Sequence, residues 1–100
     1  MLAVITGASA GIGAAFARRL GARGYDLVLI ARREERLRAL AEEIGSLNHV
    51  RAEAMAADLT SDDDVGRVSA YIRSAPDLGL LVNNAGFGTM GYFFEADLNS

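Results

Sequence analysis

The sequence predicts an open, doubly wound α/β fold: a partial parallel sheet in the strand order 3-2-1-4, with helices on both faces. Three observations predict it. Short apolar runs alternate with helical periodicity along the 100 residues, the signature of repeated βαβ units. The runs are apolar on both faces, as in strands that helices cover from both sides. A Gly-rich turn joins the first run to the first helical segment, and right-handed crossovers then set the strand order.

Leu2–Thr6 is the first strand. Ile12, Phe16 and Leu20 recur at helical spacing, with Arg18, Arg19 and Arg23 on the other face; Gly24 suits the left-handed residue that ends such a helix. Asp26–Ala31 holds Leu27-Val28-Leu29-Ile30, a second buried strand. Leu37, Leu40, Ala41 and Ile44 mark the face of a second helix, Gly45 is its stop, and Glu34 and Arg38 are spaced to pair. Arg51–Ala57 is a weaker, Ala-rich third strand. Thr60 or Ser61 caps a third helix whose first turn carries Asp62, Asp63 and Asp64, which favour the positive end of the helix dipole. Val65, Val68 and Ile72 form its apolar stripe. Leu78–Asn83 is the fourth strand, an apolar run left at the sheet's edge. From Phe87 on, the chain is a Gly-punctuated loop, with a helix beginning near Tyr92.

Composition narrows the functions. The length suits one small domain, residues 1–100. Hydrophobic residues make up 51% and charged residues 23%, an ordinary globular balance. A net charge of -3 argues against nucleic acid as a general partner. With no Cys and a single His, His49 in a solvated loop, no metal centre is expected. No apolar run is long enough to span a membrane, and Met1 to Ile5 lacks the features of a signal peptide, so the cytoplasm is the expected compartment.

The turn reads Thr6-Gly7-Ala8-Ser9-Ala10-Gly11-Ile12-Gly13. Glycine permits positive φ and lets the backbone approach a bulky anion. The helix start offers unpaired N–H groups and a partial positive charge to a diphosphate; Ser9 adds a hydroxyl donor. Gly7, Ser9, Ala10, Gly11, Ile12 and Gly13 are therefore candidate contacts. The plain alternative is a tight βα turn with no ligand. A Walker A reading fails, because the chain has no Lys.

Thr6-Gly7-x-x-x-Gly11-x-Gly13, together with Asn83-Asn84-Ala85-Gly86 and with Asp58 between them at the end of strand 3, resembles the short-chain dehydrogenase/reductase family over the whole chain. The resemblance implies a Rossmann-type fold and roles for matching positions. The Gly7–Gly13 turn would hold the pyrophosphate and adenosine ribose of a nicotinamide dinucleotide. Asp58 would accept from the adenine amino group, with the Leu59 backbone beside it. Asn83, Asn84, Ala85 and Gly86 would pack along the adenosine side. Without a ligand, Asp58 reads as a helix cap or exposed acid and the paired Asn residues as a turn held by side-chain amides.

The end of strand 2 reads the adenosine ribose: an acid there binds the 2′-hydroxyl of NAD, and an Arg accommodates the 2′-phosphate of NADP. Here it is Ala31-Arg32-Arg33, without an acid. Guanidinium grips phosphate through paired hydrogen bonds, so NADPH is expected over NADH, with NAD still possible. A solvated helix start is the alternative for both Arg residues.

The family's Ser and Tyr-x-x-x-Lys pair cannot be assembled here. Tyr25, Tyr71 and Tyr92 are followed four residues on by Leu29, Ala75 and Ala96. The expectation is a cofactor-binding half, truncated before the catalytic half and inactive alone, of an oxidoreductase acting on a small carbonyl or alcohol. Its substrate and any oligomer are unreadable. The competing readings are a redox-sensing NAD(P)-binding module without catalysis and, with less support, a flavodoxin-like domain.

Overall fold

The computed structural model describes residues 1–8 and 11–83, apart from the Asn83 side chain, and the backbone of residues 91–94. Its elements are β1 (Leu2–Thr6), α1 (Gly11–Ala22), β2 (Asp26–Ala31), α2 (Glu34–Asn48), β3 (Ala52–Ala56), α3 (Asp62–Ser74), β4 (Leu78–Asn83) and β5 (Gly91–Phe94). They form one sheet in the order β3-β2-β1-β4-β5. The first four strands are parallel and stand in the order the sequence predicts.

The fifth strand departs from expectation. Gly91–Phe94 pairs antiparallel with β4, Asn83 opposite Gly91 and Leu80 opposite Phe94, where the sequence suggested a loop turning into a helix near Tyr92. Tyr92, Phe93 and Phe94 have high β-propensity, and β4 would otherwise present an unpaired edge. β4 is therefore covered rather than terminal.

Alternating strand residues feed two cores. Ala3, Ile5, Leu27 and Leu29 pack with α1 and α2 residues Ala14, Ala17, Leu20, Leu37 and Ile44 on one face. Leu2, Val4, Val28 and Ile30 pack with Val68 of α3 on the other. This two-sided burial explains the unbroken apolar runs of β1 and β2.

The helix faces differ in detail from the apolar spacing. The buried residues of α1 are Gly13, Ala14, Ala17, Leu20 and Gly21, whereas Ile12 is exposed. The helix lies so close to its neighbours that small residues occupy the contact. At its end, Tyr25 N donates to Leu20 O (3.1 Å) and Gly24 N to Gly21 O (3.0 Å), with Gly24 at φ 93: a Schellman turn, as Gly24 foretold. Gly45 does not stop α2. The helix continues to Asn48 and ends on His49, exposed and left-handed at φ 56, while Asn48 Nδ2 donates to Ile44 O at 3.0 Å. The Glu34–Arg38 ion pair forms. Ser61, not Thr60, caps α3, and Val65 is exposed instead of joining the stripe.

Candidate functional site

Strand register brings the predicted site residues to one edge of the sheet. Thr6 lies level with Ile30 on one side and Asn83 on the other, and Ala31 lies level with Ala56. The carboxyl ends of β1, β2, β3 and β4 are thus side by side. Gly7, Gly11, Arg32, Arg33, Asp58 and Leu59 follow these strand ends, and the Asn83 backbone closes β4 there. β1 sits between β2 and β4, where the order of connection reverses and open parallel sheets form their ligand crevice.

The turn after β1 needs its glycines. Gly7 has φ 65 and Gly11 has φ 63, the left-handed region that disfavours a Cβ. Ala8 N donates to Ile30 O at 3.2 Å, which ties the turn to the end of β2. Among the described residues nothing lies within 4 Å of a Cβ built on Gly11; the start of α1 is open to that extent, with exposed Ile12 beside it and Gly13 buried. Ser9 and Ala10 lie outside the described residues.

The helix starts differ in charge. Glu34 and Glu35 occupy the first turn of α2, and Asp62, Asp63 and Asp64 that of α3; α1 has no acid in its first turn. Two of the three dipoles are complemented by the chain's own carboxylates. The third, at the glycine turn, is left for an anion from elsewhere. Open space, bare glycine backbone and an uncompensated helix start together fit a diphosphate.

Arg32 and Arg33 are exposed. Arg33 occupies the N-cap position of α2 in extended conformation (φ -92, ψ 101), without a side-chain capping bond. Neither guanidinium takes part in an ion pair among the described residues.

Asp58 begins a tight turn. Its Oδ1 accepts from Thr60 Oγ1 at 2.6 Å and Thr60 N at 2.9 Å, and its carbonyl accepts from Ser61 N at 2.9 Å. The Thr60 hydroxyl, then the Thr60 amide, hold the carboxyl below its ordinary range; partial desolvation opposes them and the Arg32 charge assists. Asp58 is therefore ionised at neutral pH and, since Ser61 supplies the side-chain cap, is not itself the cap of α3. Leu59 packs against the core beneath α3.

Three residues around Asp58 are not among the predicted site residues. Thr60 is one, although Asp followed two residues later by Thr is an Asx-turn signal. The others are Asp64, whose Oδ2 accepts from Asp58 N at 2.7 Å, and Arg67, whose Nη2 donates to Ala56 O at 2.7 Å. One bond joins α3 to the loop after β3 and the other joins it to the last residue of β3, and no local pattern announces them.

The backbone of Asn83 closes β4 beside Thr6. Asn84, Ala85 and Gly86 lie outside the described residues. Among the described residues no group of His, Asp or Glu could hold a metal ion, and no helix is long and apolar enough to cross a membrane.

The short chain dehydrogenase family model matches residues 1–100. The very-long-chain 3-oxoacyl-CoA reductase of Yarrowia lipolytica is 40% identical over 86 residues, 84% of this chain and 22% of the relative. The human inactive hydroxysteroid dehydrogenase-like protein 1 is 37% identical over 84 residues, 84% of this chain and 26% of the relative. A short-chain dehydrogenase from Sphingobium yanoikuyae, solved in complex with NADPH, superposes with a TM-score of 0.85 at 46% identity, covering 92% of this chain and 36% of that one. The chain thus spans about a quarter of the curated relatives it matches. With the family model matched over residues 1–100 and a solved relative superposing at 46% identity, the chain belongs to the short-chain dehydrogenase family.

Proposed function

We propose that the chain is the NADP(H)-binding portion of an oxidoreductase that interconverts a small carbonyl compound and its alcohol. The observation that carries this is the start of α1: glycines at positive φ, no described residue within 4 Å of a Cβ on Gly11 and no acidic side chain in the first turn. In this reading the amides of Gly7, Ser9, Ala10, Gly11, Ile12 and Gly13 receive the pyrophosphate. Arg32 and Arg33 grip the 2′-phosphate, Asp58 accepts from the adenine amino group beside Leu59, and Asn83, Asn84, Ala85 and Gly86 line the adenosine. The NADPH complex of the Sphingobium relative supports that choice of cofactor.

When bound, NADPH supplies the hydride. The residues of this chain bind and orient it. The proton donor and the group that orients the carbonyl come from a Ser and a Tyr-x-x-x-Lys pair, which 100 residues without Lys do not contain. The chain alone is therefore inactive, and turnover of a generic ketone with NADPH by the purified chain would refute this. Fluorescence titration tests the cofactor: Arg32→Ala with Arg33→Ala weakens NADPH at least about tenfold more than NADH, as loss of charged hydrogen bonds implies. Equal weakening sinks the NADP(H) preference.

A second reading is a dinucleotide-sensing module without catalysis. It is favoured by the match to a human relative that is named inactive. In a longer chain carrying this region, NADPH binding without turnover of carbonyl substrates supports it.

A further inference from the structure

We propose that Asp64 and Arg67 of α3 are positioning residues for cofactor recognition: they hold the Asp58 loop at the end of β3 so that its carboxylate faces the adenine. The inference rests on the proposed role of Asp58.

Residues 56 to 58 are held from both sides by hydrogen bonds. Ala57 N donates to Ala31 O of β2 at 2.9 Å, the last link to the sheet. From the other side, Arg67 Nη2 donates to Ala56 O at 2.7 Å and Asp64 Oδ2 accepts from Asp58 N at 2.7 Å. Arg67 Nη2 also lies 3.5 Å from Asp64 Oδ1, so the two gripping side chains are neighbours one helical turn apart. Among the described residues the Asp58 carboxylate is bonded only to Thr60, and the Asp58 carbonyl to Ser61 N. The direction of its carboxylate thus depends on where its own backbone N–H is held, and Asp64 holds it.

The arrangement suits positioning better than stability. The Asp64 and Arg67 side chains are 31% and 48% exposed, and ion pairs so close to water contribute little to folding. α3 fully buries only Val68. What the two side chains do fix is the geometry of a loop, and a recognition carboxylate must keep its place to within a fraction of an ångström. Ser61 Oγ, accepting from Asp64 N at 3.4 Å, ties the helix start to the same turn.

The test compares affinities of the purified chain for NADPH and for its deamino analogue, whose hypoxanthine lacks the amino donor. Wild type should favour NADPH by about tenfold or more, the worth of one hydrogen bond to a charged acceptor. Asp58→Ala should erase the preference. Asp64→Ala and Arg67→Ala, which leave the Asp58 carboxylate intact, should bring it below about twofold. Asp64→Asn, which keeps an oxygen for the Asp58 amide, should retain most of it. A role confined to stability would lower the melting temperature and leave this ratio unchanged. A wild type that binds NADPH but does not discriminate overturns the adenine role of Asp58. Discrimination in wild type that survives in Asp64→Ala overturns the positioning role alone. Should Asp64→Ala fail to fold, Asp64→Asn and Arg67→Ala decide: a lost ratio in the first with a kept ratio in the second contradicts the proposal.

Discussion

Thr60 binds the Asp58 carboxylate twice through a single oxygen, with its hydroxyl 2.6 Å and its amide 2.9 Å from Oδ1. Both bonds favour the ionised acid. Thr60→Val removes the stronger cause and leaves the amide. The Asp58 pKa should then rise toward its ordinary value of 3.8, read by a carboxyl-carbon NMR titration. The pKa is lower in the folded chain than in the unfolded one. The resulting stabilisation is therefore complete above the ordinary Asp range and is lost as pH falls through the folded value. In that acid window Thr60→Val should flatten the dependence of stability on pH. A titration that does not move would contradict this account of the turn.

Gly21 is where α1 meets α2. A Cβ there would overlap Ile44 Cγ2, in a side chain that is 1% exposed and has nowhere to go. Gly21→Ala gains about 1 kcal/mol of helix propensity, and overpacking costs about 1–3 kcal/mol. The net expectation is a loss of about 1 kcal/mol in urea unfolding. In an Ile44→Ala background the same change should stabilise. If Gly21→Ala raises stability in the wild-type chain, the close approach of the helices is wrong.

Gly11 presents the opposite case. Among the described residues nothing lies within 4 Å of a Cβ there, and its φ of 63 is what resists a side chain. Gly11→Ala should cost about 1 kcal/mol of stability from the backbone alone. It should weaken NADPH by at least about tenfold, since its methyl group would enter the space assigned to the diphosphate. Full NADPH affinity in this variant would move the diphosphate away from α1.

The sheet was legible where burial is two-sided. Leu2–Thr6, Asp26–Ala31 and Leu78–Asn83 are found at the bounds their apolar runs indicate, because a strand covered on both faces has no polar residue until it ends. β3 proved one residue shorter at each end than Arg51–Ala57. The α1 face differs at Ile12, which is exposed, while Leu20 and Phe16 join the core as their spacing indicates; close packing on α2 and the sheet adds Gly13, Ala17 and Gly21. Gly45 is placed in the sequence like a stop, but it is inside α2, where a Cβ would come 3.1 Å from Val50 O; a glycine required by packing looks like one required by a turn. β5 depends on an edge offered by β4, which no local pattern in Gly91–Phe94 reports. At the site, the strand ends were readable from Thr6, Ala31 and Asn83. The grip of Asp64 and Arg67 was not, since it exists only once α3 has docked.

The amide resonances of the labelled chain during addition of NADPH test the central claim most directly. The account expects saturable shifts that are largest at Gly7–Gly13 and extend to Arg32, Arg33 and Asp58–Thr60, all at the carboxyl edge of the sheet. Saturable shifts centred instead on Gly24, His49 and Ala75, at the opposite ends of the helices, with the glycine turn unmoved, would contradict it.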